Sequence, residues 1–187
     1  MSQPDRASRR AVLAGASAVL GGGVVASLAG CGAGAPKFRL PPQAQHGDVE
    51  LLNGALALER YAIAAYTAGI PLLGRRSRKL AQAFLNDELA HAGELLGLLG
   101  EVRGMPIPRA DSYDLGHPRS AAEVLDLLHR VERQQLTLYV DLIPRLTPGR
   151  VRAAVASILG SDAQHVSLLR VELDLSPAPS PFVTGRE

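Results

Sequence analysis

The sequence predicts an all-α protein, a four-helix bundle with a long crossover between its second and third helices. Three observations carry this. Hydrophobic residues make up 47% of the 187-residue chain but aromatic ones only 4%, with no tryptophan. That balance favours helices packed through small aliphatic side chains over a β-sandwich. Four stretches carry apolar residues at helical spacing, each closed by glycine or proline. The polar residues set into the first two stretches recur, at matching spacing, in the last two.

The first segment reads as an export signal. Ser8-Arg9-Arg10-Ala11-Val12-Leu13 is a twin-arginine pattern, and twenty uncharged residues follow, from Ala11 to Gly30. Leu28-Ala29-Gly30-Cys31 resembles a lipobox, the bacterial signal for cleavage and lipidation at a cysteine. A transmembrane anchor is the competing reading, since about twenty residues can span a bilayer. The run is rich in Gly and Ala, weakly hydrophobic, and ends in small residues, as processed signals do. Residues 1–31 are therefore assigned to a signal ending at a lipidated Cys31. The rest of the chain is expected on the outer face of the cytoplasmic membrane.

Cys31 is the only cysteine. Once lipidated, it leaves the mature domain without a thiol. Disulfides, thiolate zinc sites, iron–sulfur clusters and cysteine nucleophiles are then excluded. The pI near 9.0 owes much to this segment. Removing Asp5, Arg6, Arg9 and Arg10 leaves 17 basic and 17 acidic residues. Nothing in that balance points to nucleic acid. The expected partners are a membrane, through the lipid anchor, and at most a second copy of the chain as a homodimer.

Residues 32–47 lack a helical period and read as a tether. Helix 1 is expected from Asp48, as N-cap, to about Ala68, where Gly69 and Pro71 stop it. Its inner face would be Leu52, Ala55, Leu56, Glu59, Ala62, Ile63 and Tyr66. Helix 2 is expected from Ser77 to Leu99. Its inner face carries Phe84, Leu85, Glu88, His91, Ala92 and Leu95. Residues 101–119 hold three prolines and two glycines. Nineteen residues at about 3.3 Å each reach roughly 60 Å, against about 35 Å for a 23-residue helix. The connection is long enough to cross the whole bundle, so helix 3 need not form a hairpin with helix 2.

Helix 3 opens with Ser120-Ala121-Ala122-Glu123, a capping-box pattern, and runs to about Leu142, before Pro144. Thr147 and Pro148 supply an N-cap and a first-position proline for helix 4, which reaches about Leu173. Its inner face would be Val151, Val155, Ile158, Asp162, His165, Val166 and Leu169. Residues 175–187, rich in Ser and Pro, read as a disordered tail. The folded domain thus spans 48–174.

The two halves match. Glu59-Arg60 precedes Tyr66 by seven residues, and Glu132-Arg133 precedes Tyr139 at the same spacing. Glu88-x-x-His91 is answered by Asp162-x-x-His165. Residues three apart share a helix face. Ionisable pairs on buried faces are costly unless compensated, and a cation compensates, because carboxylate and imidazole both ligate iron, manganese and zinc. One carboxylate from each of two helices plus a carboxylate-x-x-His from each of the others is the ligand plan of dimetal bundles. The competing reading is a degenerate bundle whose polar residues satisfy one another.

On these six positions the chain resembles the ferritin-like superfamily over about residues 48–173. In particular it resembles exported, often twin-arginine-tagged ferritin-like proteins of high-GC bacteria, many of uncharacterised function. The resemblance implies a di-iron or di-manganese centre that oxidises Fe(II) or decomposes peroxide, with a non-catalytic lipoprotein module as the alternative. It implies metal ligation by Glu59, Glu88, His91, Glu132, Asp162 and His165, with Glu88 and Asp162 bridging and one ion weakly held. Tyr66 and Tyr139 resemble the tyrosines that hydrogen-bond ligands in this superfamily. Asp162 departs from the usual Glu and is about 1.5 Å shorter, which puts one bridge in doubt. The lack of a cysteine cluster argues against a peroxidase with its own electron relay, and a tether argues against a closed storage cage. His129, three residues before Glu132, is a further candidate or else a solvated or supporting residue. Asp87, Glu94, Glu101, His46 and His117 read as exposed. Arg75, Arg76, Arg78 and Lys79 read as a solvated turn able to touch anionic lipid headgroups.

Overall fold

The computed structural model describes residues 42–186, with side chains from Gly47 onward. The signal segment, Cys31 and the tether as far as residue 41 lie outside the described residues. Four helices follow one another: α1 (Pro42–Gly69), α2 (Arg75–Glu101), α3 (Ala121–Leu142) and α4 (Gly149–Glu172). Short 3-10 turns at Ile70–Leu72 and Ile143–Arg145 follow α1 and α3. Each holds a proline at its start, which cannot continue the preceding helix. Among the described residues no helix is long and apolar enough to cross a membrane.

The crossover is present and sets the topology. It leaves α2 through Val102 and runs beside α1. Asn53 holds its start, donating to the Met105 carbonyl at 3.0 Å and accepting from the Ile107 amide at 2.8 Å. Farther along α1, the Arg60 guanidinium donates to the Ile107 carbonyl at 2.7 Å and the Tyr61 hydroxyl to the Asp114 carbonyl at 3.1 Å. The chain thus travels the length of α1 before α3 begins against Gly69, the last residue of α1. There a Cβ on Gly69 would lie 2.6 Å from Val124. Consequently α3 runs antiparallel to α1 and in the same sense as α2. The helix α1 packs on α2 and α3, while α4 packs on α3 and, more sparingly, on α2.

Several boundaries differ from those expected. Helix α1 starts at Pro42, not at Asp48, so the helix takes in the last six residues assigned to the tether. Asp48 is not its cap. It is buried, and its Oδ1 accepts the Thr147 amide at 2.9 Å, tying the start of α1 to the approach to α4. Thr147 and Pro148 each sit one position earlier relative to α4 than expected. Pro148 is the N-cap residue, and no side chain caps α4. The Thr147 carbonyl accepts instead from Arg152 at 2.7 Å. At α3 Ser120 caps as expected, its hydroxyl accepting from the Glu123 amide at 3.3 Å, while the Glu123 carboxylate accepts from the backbone amide of Arg119 at 2.6 Å, one residue before the Ser120 amide that a capping box uses.

The segment expected to be a disordered tail has no helix or strand but is anchored. The Ser176 carbonyl accepts from Arg170 at 2.5 Å, and that of Gly185 from Arg133 at 3.2 Å. Gly185 is buried at φ +75, where a Cβ would clash with Thr137 and the Arg133 carbonyl.

The core falls into two apolar clusters. One gathers Leu52, Leu56, Leu95, Leu99, Tyr139, Leu142, Val155 and Ile158. The other gathers Ala62, Tyr66, Phe84, Val124, Leu128, Val131 and Leu169. On each helix a carboxylate stands between residues of the two clusters: Glu59 on α1, Glu88 on α2, Glu132 on α3 and Asp162 on α4. All four are fully buried.

Candidate metal centre

The helical period turns these four carboxylates inward at one height, and the bundle closes around them. Glu88, Glu132, Asp162 and His165 each present a ligand atom within 4.8 Å of the others. Glu59, Glu88 and His91 form a second such group, which shares Glu88. All six predicted ligand residues are therefore brought together. Nδ1 of His165 lies 3.3 Å from Glu132 Oε1 and 3.3 Å from Glu88 Oε1. Nδ1 of His91 lies 3.3 Å from Asp162 Oδ1, 3.7 Å from Glu88 Oε1 and 3.9 Å from Glu59 Oε2. The shorter Asp162 side chain still reaches both groups.

Two tyrosines hold the outer carboxylates, and each does so across the repeat. The Tyr66 hydroxyl of α1 donates to Glu132 Oε1 of α3, and the Tyr139 hydroxyl of α3 donates to Glu59 Oε1 of α1. Glu88 is held by Gln135, whose amide donates to Oε2 at 2.6 Å. Gln135 is fully buried and was not anticipated. Its signal was present, since it follows Glu132 by three residues and so shares its face.

Asp87 also bears on the centre. It is exposed as expected, yet its Oδ2 lies 3.3 Å from Nε2 of the buried His165. The His165 ring also stacks on Phe84, with centroids 4.0 Å apart. His129 does not join the centre. It is buried among Arg133, Arg170 and Asp126, with Nε2 unpartnered. His117, Glu94 and Glu101 are exposed, and Glu101 pairs with Arg150. In the basic run, Arg76 pairs with Glu172 at 3.1 Å, and Arg78 donates to the Pro71 and Leu73 carbonyls.

Burial dominates the electrostatics. It pushes Glu59 and Asp162 well above the ordinary carboxylate range, with the neighbouring carboxylates adding to the shift. Burial raises Glu88 and Glu132 as well. Burial also lowers His91. Burial acts against protonation of His165 too, but hydrogen bonds and charge from Glu132 and Glu88 outweigh it and hold the ring up to about 11. Tyr66 and Tyr139 are raised well above their usual value by burial and then by Glu132 and Glu59 respectively.

Six buried polar atoms of this cluster have no hydrogen-bond partner: Glu59 Oε2, Glu88 Oε1, His91 Nδ1, Glu132 Oε2 and both oxygens of Asp162. Native interiors leave few such atoms unpaired. Here they converge on shared space, and their chemistry, carboxylate oxygen with imidazole nitrogen, suits iron, manganese or zinc. The residues present therefore fit a pair of divalent cations.

Comparison with known proteins agrees with this geometry. Residues 47–174 match the family model of the ferritin-like domain. No curated protein sequence matches the chain. Among solved structures, a conserved hypothetical protein of Mycobacterium tuberculosis superposes with a TM-score of 0.67 at 20% identity, over 74% of this chain and 99% of the other. A ferritin-like, diiron-carboxylate protein of Bacillus anthracis superposes with a TM-score of 0.62 at 17% identity, over 72% and 99%. At such identities the likeness establishes the four-helix fold.

Proposed function

The chain belongs to the ferritin-like domain family, and from that premise we propose that it binds two iron or manganese ions and uses them to oxidise Fe(II) or decompose peroxide outside the cytoplasmic membrane. The observation that carries this reading is the set of unpartnered, buried ligand atoms between the two apolar clusters. The diiron-carboxylate chemistry described for the Bacillus anthracis protein supports iron as the first choice. Bound iron or manganese would supply the one-electron redox chemistry that these side chains lack.

The chain's own residues divide the remaining work. Glu59 and His91 would hold one ion, Glu132 and His165 the other, and Glu88, common to both ligand groups, would bridge. Asp162, grouped with His165 and 3.3 Å from His91 Nδ1, would be within reach of either ion. Tyr66, Tyr139 and Gln135 each donate to one carboxylate oxygen and leave its partner oxygen free to ligate. That orientation reduces the rearrangement of Glu59, Glu88 and Glu132 when a cation arrives. The apolar clusters keep water from the centre on both sides along the bundle axis. His91, with 11% of its side chain exposed, is the most open of the six ligand residues and marks the side where cations and small oxidants enter.

The sequence before the described residues supports the location. The twin arginines and Leu28-Ala29-Gly30-Cys31 would direct export of the chain and acylation of Cys31, holding the bundle at the outer face of the cytoplasmic membrane.

Elemental analysis of the folded chain after exposure to Fe(II), Mn(II) and Zn(II) tests the proposal. Near-stoichiometric iron or manganese is expected, with a raised thermal midpoint, since a ligand at 100 times its Kd stabilises by about 2.7 kcal/mol. Consumption of Fe(II) or peroxide by the loaded protein then tests activity. Absence of bound metal would leave a non-catalytic helical module.

A further inference from the structure

At the start of the crossover the backbone is fixed while the side chains stay in solvent. The Gly104 amide donates to the Leu99 carbonyl at 2.8 Å. A Cβ on Gly104 would lie 2.6 Å from Val49, so the chain there lies close against α1. Asn53 holds the backbone on both sides of Pro106, at the Met105 carbonyl and the Ile107 amide, and Arg60 holds the Ile107 carbonyl. Yet residues 105–110, Met-Pro-Ile-Pro-Arg-Ala, are all exposed. Met105 is 81% exposed, the highest value of any large hydrophobic residue among those described. A slack loop could fold such a side chain away. Here the contacts that fix the backbone hold it out.

Two cations flank the four apolar residues. Among the described residues neither the Arg103 nor the Arg109 guanidinium makes a hydrogen bond or ion pair. No acid lies between them. Glu101, the nearest acid before them, is taken by Arg150, and Asp111 follows Arg109 by two residues. Apolar side chains between free cations complement an anionic bilayer surface. The side chains enter the boundary of headgroups and acyl chains, and the cations meet the headgroups.

The tether brings this surface within reach of a membrane. It enters α1 at Pro42, and Asn53, eleven residues on, is about 17 Å away along the helix. Residues 32–41 span at most about 36 Å, so Met105 reaches the bilayer without a stretched tether. The basic run at Arg75, Arg76, Arg78 and Lys79 lies past the other end of α1. That end is about 42 Å from Pro42, beyond a fully stretched tether for a bundle standing on it. Two of those cations are also engaged, Arg76 by Glu172 and Arg78 by backbone carbonyls.

Resting on the lipid-anchor reading above, we propose that residues 103–109 form a membrane-docking loop. Met105 and Ile107 enter the interfacial region of an anionic bilayer, and Arg103 and Arg109 meet its headgroups. The anchored bundle then leans on the membrane near the start of α1, and the Arg75–Lys79 run faces away.

The full chain, exported and lipidated in its host, tests this after reconstitution into phosphatidylglycerol vesicles. Lipidation occupies Cys31, so a cysteine introduced by Met105→Cys is the one free thiol for an environment-sensitive fluorophore. A blue-shifted emission, quenched by brominated lipid, is expected there. The same label on Lys79→Cys should show neither. Adding Arg103→Glu and Arg109→Glu to Met105→Cys should abolish the shift, and vesicles of phosphatidylcholine alone should reduce it. These positions are exposed, so the fold survives the changes, and circular dichroism checks that it has. Water-like emission at Met105 in a chain that stays on the vesicles overturns this inference and leaves the anchor standing, as does quenching at Lys79 in its place. A blue shift at Met105 without quenching by lipid means that a protein surface covers the loop, and it also overturns the inference. A chain that the vesicles do not retain overturns the anchor and this inference together.

Discussion

Tyr139 on α3 donates its hydroxyl to Glu59 on α1, a residue 80 positions earlier in the chain, and the bond crosses from one half of the repeat to the other. Glu59 has a second oxygen with no partner. Tyr139→Phe therefore leaves a fully buried carboxyl group with no donor at all. A loss of about 1–3 kcal/mol is expected, read from denaturant unfolding of the metal-free protein. Tyr61→Phe, which removes an exposed hydrogen bond to the Asp114 carbonyl, serves as the control and should stay within about 0.5 kcal/mol. Equal effects at the two positions would contradict the role given to Tyr139.

Stability of the metal-free protein should fall as pH rises. Glu59, Glu88, Glu132 and Asp162 are all raised, chiefly by burial, and His165 is held up to about 11. A group with a raised folded pKa binds its proton more tightly when folded. Its contribution is fully present below the unfolded pKa and is lost as pH passes the folded one. For the carboxylates that loss begins above about pH 4. His91 and His129, which burial lowers, act in the opposite sense, but they are two groups against five. Urea unfolding at about pH 5 and pH 8 measures the difference, and a stability that climbs over this range would refute it. Cation binding displaces the same protons. Metal affinity should therefore rise with pH, with proton release seen as a buffer-dependent heat in calorimetry.

The junction of α1 and α3 depends on a missing side chain. A Cβ at Gly69 would sit 2.6 Å from Cγ1 of Val124, which is fully buried. Valine has little rotamer freedom in a helix with which to yield. Gly69→Ala should cost about 1–3 kcal/mol by overpacking. Combining it with Val124→Ala relieves the clash, so the double variant should lose less than the sum of the single losses. Strict additivity would mean that the close approach is not what limits this position.

The proposed membrane attachment would depend on Cys31. The chain should fractionate with membranes, and Cys31→Ala should release it while export through the twin-arginine signal continues. Undiminished membrane retention of the variant would favour an uncleaved transmembrane anchor.

Much of the centre was legible from the chain alone, for a physical reason. The 3.6-residue period decides which face a residue occupies, so Glu88 with His91, and Asp162 with His165, had to share faces. The doubling of the pattern had to bring like heights together once two hairpins packed. Proline and glycine placed the ends of α1 and α3 within a few residues. The Ser120 cap could be recognised because its partners are local. The start of α1 was misplaced because Asp48, with the composition of a cap, is instead used by Thr147, 99 residues away. Local chemistry cannot distinguish those two uses. Periodicity also says nothing about which helices become neighbours. Packing alone decided that Tyr66 meets Glu132 and not its own Glu59, that Gln135 holds Glu88, and that exposed Asp87 reaches across to His165. It also decided that the final segment lies along α3, where Gly185 leaves room for the Arg133 carbonyl. The sequence by itself determined the helices and the inward-facing ligand types, because both follow from spacing within a helix. The tertiary structure decided which ligand meets which and how each is held, because those depend on the register between helices far apart in the chain.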